Sequence, residues 1–128
     1  PPARPLQRPP DSALDPRPGG RGQPLCAAAG PVIRQVASCV LAGMPAPQIA
    51  RGFHDAVTWL IVDLAEACRE QTGLVRVALG GGVFQNALLV EAAEKALSDR
   101  EFTVLLPRAL PANDGGLALG QILVGAST

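Results

Sequence analysis

The chain has 128 residues, the size of one small domain, and is 48% hydrophobic but only 3% aromatic, so its core must be aliphatic and built largely from small side chains. Eleven Lys and Arg balance eleven Asp and Glu, which removes the basic surface that a nucleic-acid backbone requires, and direct nucleic-acid binding is not expected. No apolar run reaches the ~18 residues of a membrane span. Cys26, Cys39 and Cys68 are too few and too widely spaced for a zinc site or a disulfide framework, and they read as reduced, buried small hydrophobes of a cytoplasmic protein.

Residues 1–24 hold eight of the thirteen prolines, three glycines and four arginines, with apolar residues too sparse to bury a face. This composition predicts a flexible arm, its arginines solvated, with the folded part starting near Leu25. Pro31 suits a first helical turn, and Val32, Ile33, Val36, Val40 and Leu41 follow at helical spacing until Gly43 stops them. A longer helix is predicted from Ile49, Phe53, Val57, Leu60, Ile61, Leu64 and Cys68, ending at Gly73. Trp59 falls one position off that stripe and reads as a helix-packing residue or a contact with a missing segment. His54, the sole histidine, reads as a partly buried surface residue.

Residues 75–79 (VRVAL) form a short β-branched run closed by Gly80, Gly81 and Gly82, as expected of a buried strand. Leu88, Leu89, Ala92, Ala93, Ala96 and Leu97 then mark a helical face, residues 102–106 (FTVLL) a second strand, and residues 117–124 a last helix. Strand, helix, strand is a βαβ unit, which places its strands parallel with a right-handed crossover. Two parallel strands need neighbours and cover on both faces, so the chain reads as part of something larger.

Two loops can carry chemistry. Gly80 to Asn86 follows the first strand; glycines there let backbone N–H groups approach a phosphate or ribose. The string is neither a Walker loop nor a Rossmann fingerprint, and a tight structural turn with Asn86 as helix cap explains it equally. Residues 111–116 (PANDGG) follow the second strand. Asp114 can ligate a cation or a metal-bound phosphate, or Asn113 or Asp114 can simply cap the last helix. Both loops leave the carboxyl ends of adjacent parallel strands, where ligands of open α/β sheets bind.

The strings VALGGGVFQNALL (residues 77–89) and LPANDGGLALGQ (residues 110–121), in that order, resemble the C-terminal end of the carbamoyltransferase of NiFe-hydrogenase maturation, the HypF family. AGMPAPQIARGFHDAV (residues 42–57) is similar to the helix that precedes them there. The resemblance implies a partial actin-like ATPase lobe (ASKHA, Kae1-like) of α/β class over residues 25–128. It implies an enzyme that uses carbamoyl phosphate and ATP, through carbamoyl adenylate, to carbamoylate the C-terminal cysteine of a hydrogenase maturation partner. By position, Gly80, Gly81, Gly82 and Asn86 would line the adenine nucleotide, and Asp114 would be one ligand of a divalent metal (iron, zinc or magnesium). The transferase's remaining domains, including the half that carries its His metal ligands, have no counterpart here, so full activity of this chain alone is not expected. Gly80, Ala87 and Ala109 depart from the family pattern, which carries Ser or another small residue at the first position and Arg or another polar residue at the other two. Two other readings remain: a non-catalytic lobe that needs a separate N-terminal half, and a relative of the tRNA threonylcarbamoyl transferases.

Overall fold

The computed structural model describes residues 14–15, 26–27, 29–108 and 111–127. The chain divides into two compact units, Pro1–Leu74 and Val75–Thr128. In the first, β1 (Leu14–Asp15) pairs antiparallel with β2 (Cys26–Ala27), Leu14 opposite Ala27 and Asp15 opposite Cys26. Pairing therefore begins inside the stretch that composition marks as an arm; a strand of two residues has no alternation to read. The other residues of 1–24 lie outside the described ones.

Helix α1 (Gly30–Leu41) has Pro31 in its first turn, where its missing N–H costs nothing. Its end is a Schellman turn: Gly43, at φ 71°, donates to the Val40 carbonyl and Met44 to that of Cys39, both at 3.0 Å. Helix α2 (Ala46–Thr72) starts on the Pro45 carbonyl, which accepts from Gln48 and Ile49. It stops at Gly73, whose left-handed backbone sends its N–H to the Arg69 carbonyl at 2.7 Å.

The α2 stripe read from periodicity is not the buried one. Thr58, Val62 and Ala65 are buried, Phe53 is 49% exposed and Cys68 is exposed. The helix carries apolar residues on most of its circumference between Ala56 and Ala67, so spacing alone could not single out a face. Toward α1, α2 presents Ile49, Phe53, Ala56 and Trp59, which together with Val32, Val36 and Cys39 line a cavity of about 30 Å³. Trp59 thus packs between helices. Thr58, buried, donates its hydroxyl to the His54 carbonyl at 3.0 Å. His54 is half-buried and donates Nδ1–H to the Ala50 carbonyl at 3.1 Å. The expectation of buried cysteines is corrected: Cys68 is exposed and Cys39 only half-buried, both as free thiols. Cys68 lies on the α2 stripe, which is not that helix's buried face, and Cys39 lies on α1, which buries no residue.

The second unit is the expected βαβ, but its strands are not buried as the β-branched runs suggest: Val77 and Val104 are half-buried and Arg76, Ala78, Thr103 and Leu105 exposed, because among the described residues no further strand pairs with either edge. Strand β3 (Arg76–Ala78) runs parallel to β4 (Thr103–Leu105), with Arg76 opposite Thr103, Val77 opposite Val104 and Ala78 opposite Leu105. The ladder extends through Thr103 N–H to the Val75 carbonyl (2.8 Å) and Leu79 N–H to that of Leu105 (3.0 Å). The crossover is α3 (Ala87–Ser98), which buries Leu89, Ala93 and Leu97. With Leu79 and Phe102, also buried, these form an aliphatic core with one aromatic ring. Helix α3 ends with Phe102 N–H on the Leu97 carbonyl and Glu101 at φ 65°, a left-handed position usually given to glycine.

Helix α4 (Leu117–Ala126) is apolar on nearly every side yet buries no residue; Leu117, Ile122, Leu123 and Val124 are each more than 60% exposed. A helix of that composition normally lies inside a larger core. Among the described residues no helix is long and apolar enough to cross a membrane.

Glu101 carries a Cβ where the turn favours none, at a cost of about 1–2 kcal/mol, partly offset by the backbone entropy glycine would lose. Glu101→Gly is therefore expected to stabilise the second unit by about 0.5–1 kcal/mol, read as a higher urea midpoint with an unchanged slope.

Candidate functional site

Parallel pairing delivers both candidate loops to one edge. After β3 the chain passes through Gly80 and Gly81 into a 3-10 turn, Gly82–Gln85, and only then enters α3. Gly81 lies at φ 103°, ψ 166°, a region essentially closed to residues with a side chain. A Cβ added at Gly80, Gly81 or Gly82 would meet nothing within 4 Å. The loop therefore faces open space, and Gly81 is demanded by conformation rather than by crowding.

Asn86 stands at the start of α3 and accepts the Leu89 N–H on Oδ1 at 3.2 Å. Its side-chain oxygen is thus committed to capping, one of the two roles its position allowed. After β4 the second loop reaches a 3-10 turn, Asp114–Gly116, that leads into α4. Here the capping residue is Asn113, whose Oδ1 accepts the Gly115 N–H at 3.0 Å. Asp114 is exposed and is not the cap. Ala109, one of the departures noted above, lies outside the described residues, and Ala87 is exposed at the first turn of α3.

The loops touch. Gly81 N–H donates to the Ala112 carbonyl at 2.6 Å. Around this junction lies an open concavity of about 770 Å³ lined by Gly81, Ala112, Asn113, Asp114 and Gly116, and by Leu117, Gly120, Gln121, Val124 and Gly125 along α4. Gly80 lines a neighbouring hollow of about 420 Å³ with Ala78, Leu79, Leu105, Leu106, Pro107, Pro111, Ala112 and Gly116. Gly80, Gly81 and Asp114, singled out from the sequence, therefore sit at one edge, while Asn86 is turned to the helix it caps. The residues that sequence reasoning missed are Gly120, Gln121 and Gly125, which line the concavity along α4. Their i+3, i+4 and i+8 spacing from Leu117 was the available signal.

Asp114 is the single charged side chain in that lining. A lone carboxylate repels a bare polyphosphate but accepts a cation, or an anion that arrives with one. Among the described residues, no three His, Cys, Asp or Glu side chains gather into a metal-binding group. By itself Asp114 could be at most one ligand of a hard or borderline cation, which takes several.

This is a partial α/β lobe, with its candidate site at the carboxyl edge of parallel strands. The model of the carbamoyltransferase Kae1-like domain, second subdomain, in HypF, matches residues 14–121, and the chain belongs to that family. It is 44% identical over 75 residues to carbamoyltransferase HypF of Synechocystis sp., which covers 59% of this chain and 9% of that protein. It is also 44% identical over 84 residues to the carbamoyltransferase HypF homolog of Cupriavidus necator, covering 63% of this chain and 21% of that one. The crystal structure of full-length HypF in its phosphate- and nucleotide-bound form superposes with a TM-score of 0.75 at 33% identity, over 79% of this chain and 13% of that one. The chain thus spans a tenth to a fifth of the length of these relatives.

Replacing Asn86 by Ala removes the cap of α3 and is expected to cost about 1 kcal/mol, whereas Asn86→Asp keeps an acceptor and most of the stability. Urea unfolding of the two variants side by side provides the check.

Proposed function

We propose that this chain is the C-terminal portion of a hydrogenase-maturation carbamoyltransferase and carries half of its nucleotide and metal site. The observation that supports this reading most is the junction at which Gly81 of the glycine loop and the Asp114 turn meet beside one open concavity. In the proposed reaction, water cleaves carbamoyl phosphate to carbamate and phosphate, and a carbamate oxygen attacks the α-phosphorus of ATP to give carbamoyl adenylate and pyrophosphate. The sulfur of a partner's C-terminal cysteine, its proton lost to solvent, then bonds to the carbamoyl carbon as the bond to AMP breaks. The cytoplasm is the proposed compartment.

In that reaction the residues of this chain position and bind. The side-chain-free rim at Gly80, Gly81 and Gly82 admits the nucleotide close to backbone N–H groups. Asp114 supplies one carboxylate oxygen to a divalent cation, which when bound offsets the charge of the phosphates. Asn86 caps α3 through Oδ1 at the end of the glycine rim and would line the nucleotide there. The uncovered apolar surface of α4 favours a lobe that works against further protein.

The isolated 128-residue chain is expected to show no carbamoyl-phosphate-dependent conversion of ATP to AMP and pyrophosphate; turnover by this chain alone would overturn the half-site reading. In the transferase that contains this segment, Asp114→Asn is expected to weaken Mn²⁺ binding about tenfold or more, as loss of one ligand should, with an unchanged unfolding midpoint. Unaltered Mn²⁺ affinity would remove Asp114 from the metal site, and an equal loss of stability would assign it to the turn.

A further inference from the structure

We infer that Gly81 and Gly115 are positioning residues that hold the Asp114 carboxylate at the mouth of the concavity, each by a different physical means. This inference takes its functional meaning from the metal-ligand reading of Asp114 proposed above, but its test does not.

Gly81 acts across the two loops. Its N–H donates to the Ala112 carbonyl at 2.6 Å, two residues before Asp114, and its backbone at φ 103°, ψ 166° takes the chain from that bonded peptide into the Gly82–Gln85 turn. An L side chain there would meet no neighbour within 4 Å, so what forbids it is the backbone conformation itself. Substitution would force the backbone out of that conformation, so either the bond to Ala112 or the entry into the Gly82–Gln85 turn must yield.

Gly115 acts within the turn. Asn113 Oδ1 accepts its N–H at 3.0 Å, and a Cβ on Gly115 would lie 3.0 Å from that same oxygen and 3.2 Å from Cγ of Pro111. A methyl group there pushes on the acceptor that closes the turn. Here the requirement is crowding, not φ, since the left-handed glycines among the described residues are Gly43, Gly73 and Gly81. Asp114 is thus held from both sides by bonds its neighbours make, while its own carboxylate lines the concavity.

The consequence is a link between the two halves of the site. A ligand that displaces the glycine loop moves Ala112, and with it the carboxylate. Asp114 and the rim of glycines therefore cannot be set independently, and Gly81 influences the cation without contributing an atom to it.

The test uses the whole chain, assembled by ligation at Cys68 with ¹⁵N-glycine at positions 115 and 116. An ester in place of the Gly81 amide removes the N–H while leaving the backbone free to keep its conformation. The order parameters of Gly115 and Gly116 are expected to fall from the rigid value of about 0.85 to below about 0.6, with helices α1 and α2 unaltered by circular dichroism. L-alanine at position 81 should do the same, and d-alanine, whose Cβ suits a positive φ, should leave the turn ordered. Gly115→Ala should loosen Gly116 with the Gly81 bond intact. Unchanged order in the ester chain overturns the role of the Gly81 bond, loss of order with d-alanine overturns the conformational requirement, and a rigid Gly116 in Gly115→Ala overturns the role of Gly115. No metal or nucleotide enters these measurements, so their failure is distinct from failure of the transferase reading, which the Mn²⁺ affinity of Asp114→Asn decides.

Discussion

The pairing of β3 with β4 in parallel is the constraint on which the candidate site depends. An antiparallel pair would send the glycine loop and the Asp114 turn to opposite ends; a parallel pair must end both strands at one edge. The register of Arg76, Val77 and Ala78 opposite Thr103, Val104 and Leu105 brings the two strand ends level. Gly81 N–H then reaches the Ala112 carbonyl, and the loops close on each other. Helix α3 makes this geometry possible, because parallel strands need a crossover, and its buried Leu89, Ala93 and Leu97 supply the core that fixes it.

Around that edge the lobe is unfinished in a physically specific way. Its sheet has two strands in this unit, and α4 presents Leu117, Ile122, Leu123 and Val124 to the surroundings. Apolar surface without cover is what one lobe of a larger α/β domain leaves when taken alone. The family match and the small share of its relatives that the chain spans accord with this.

Most elements were legible because strong local signals mark their ends. Gly43 and Gly73 stop helices that periodicity had already outlined, Pro31 opens one, and Asn86 caps another. The strands at residues 76–78 and 103–105 were legible from β-branched runs between breakers. What was hidden lacked such marks. Glu101 ends α3 in a left-handed conformation without being glycine, and Leu14–Asp15 pairs over only two residues. The buried face of α2, at Thr58, Val62 and Ala65, was concealed by apolar residues on most of the helix.

By itself the sequence determined the βαβ order, the family and the two loops of the candidate site, because spacing, breakers and the paired glycine and Asn-Asp-Gly-Gly strings are local properties of the chain. Tertiary structure alone decided how the ambiguous residues divide their roles. Asn113, not Asp114, caps the second turn, and Asn86 caps α3. Gly81 rather than its neighbours is the glycine that conformation requires. Those roles turn on single hydrogen bonds and one backbone angle, and residues far apart in the chain acquire them only once parallel strands have brought their loops within bonding distance.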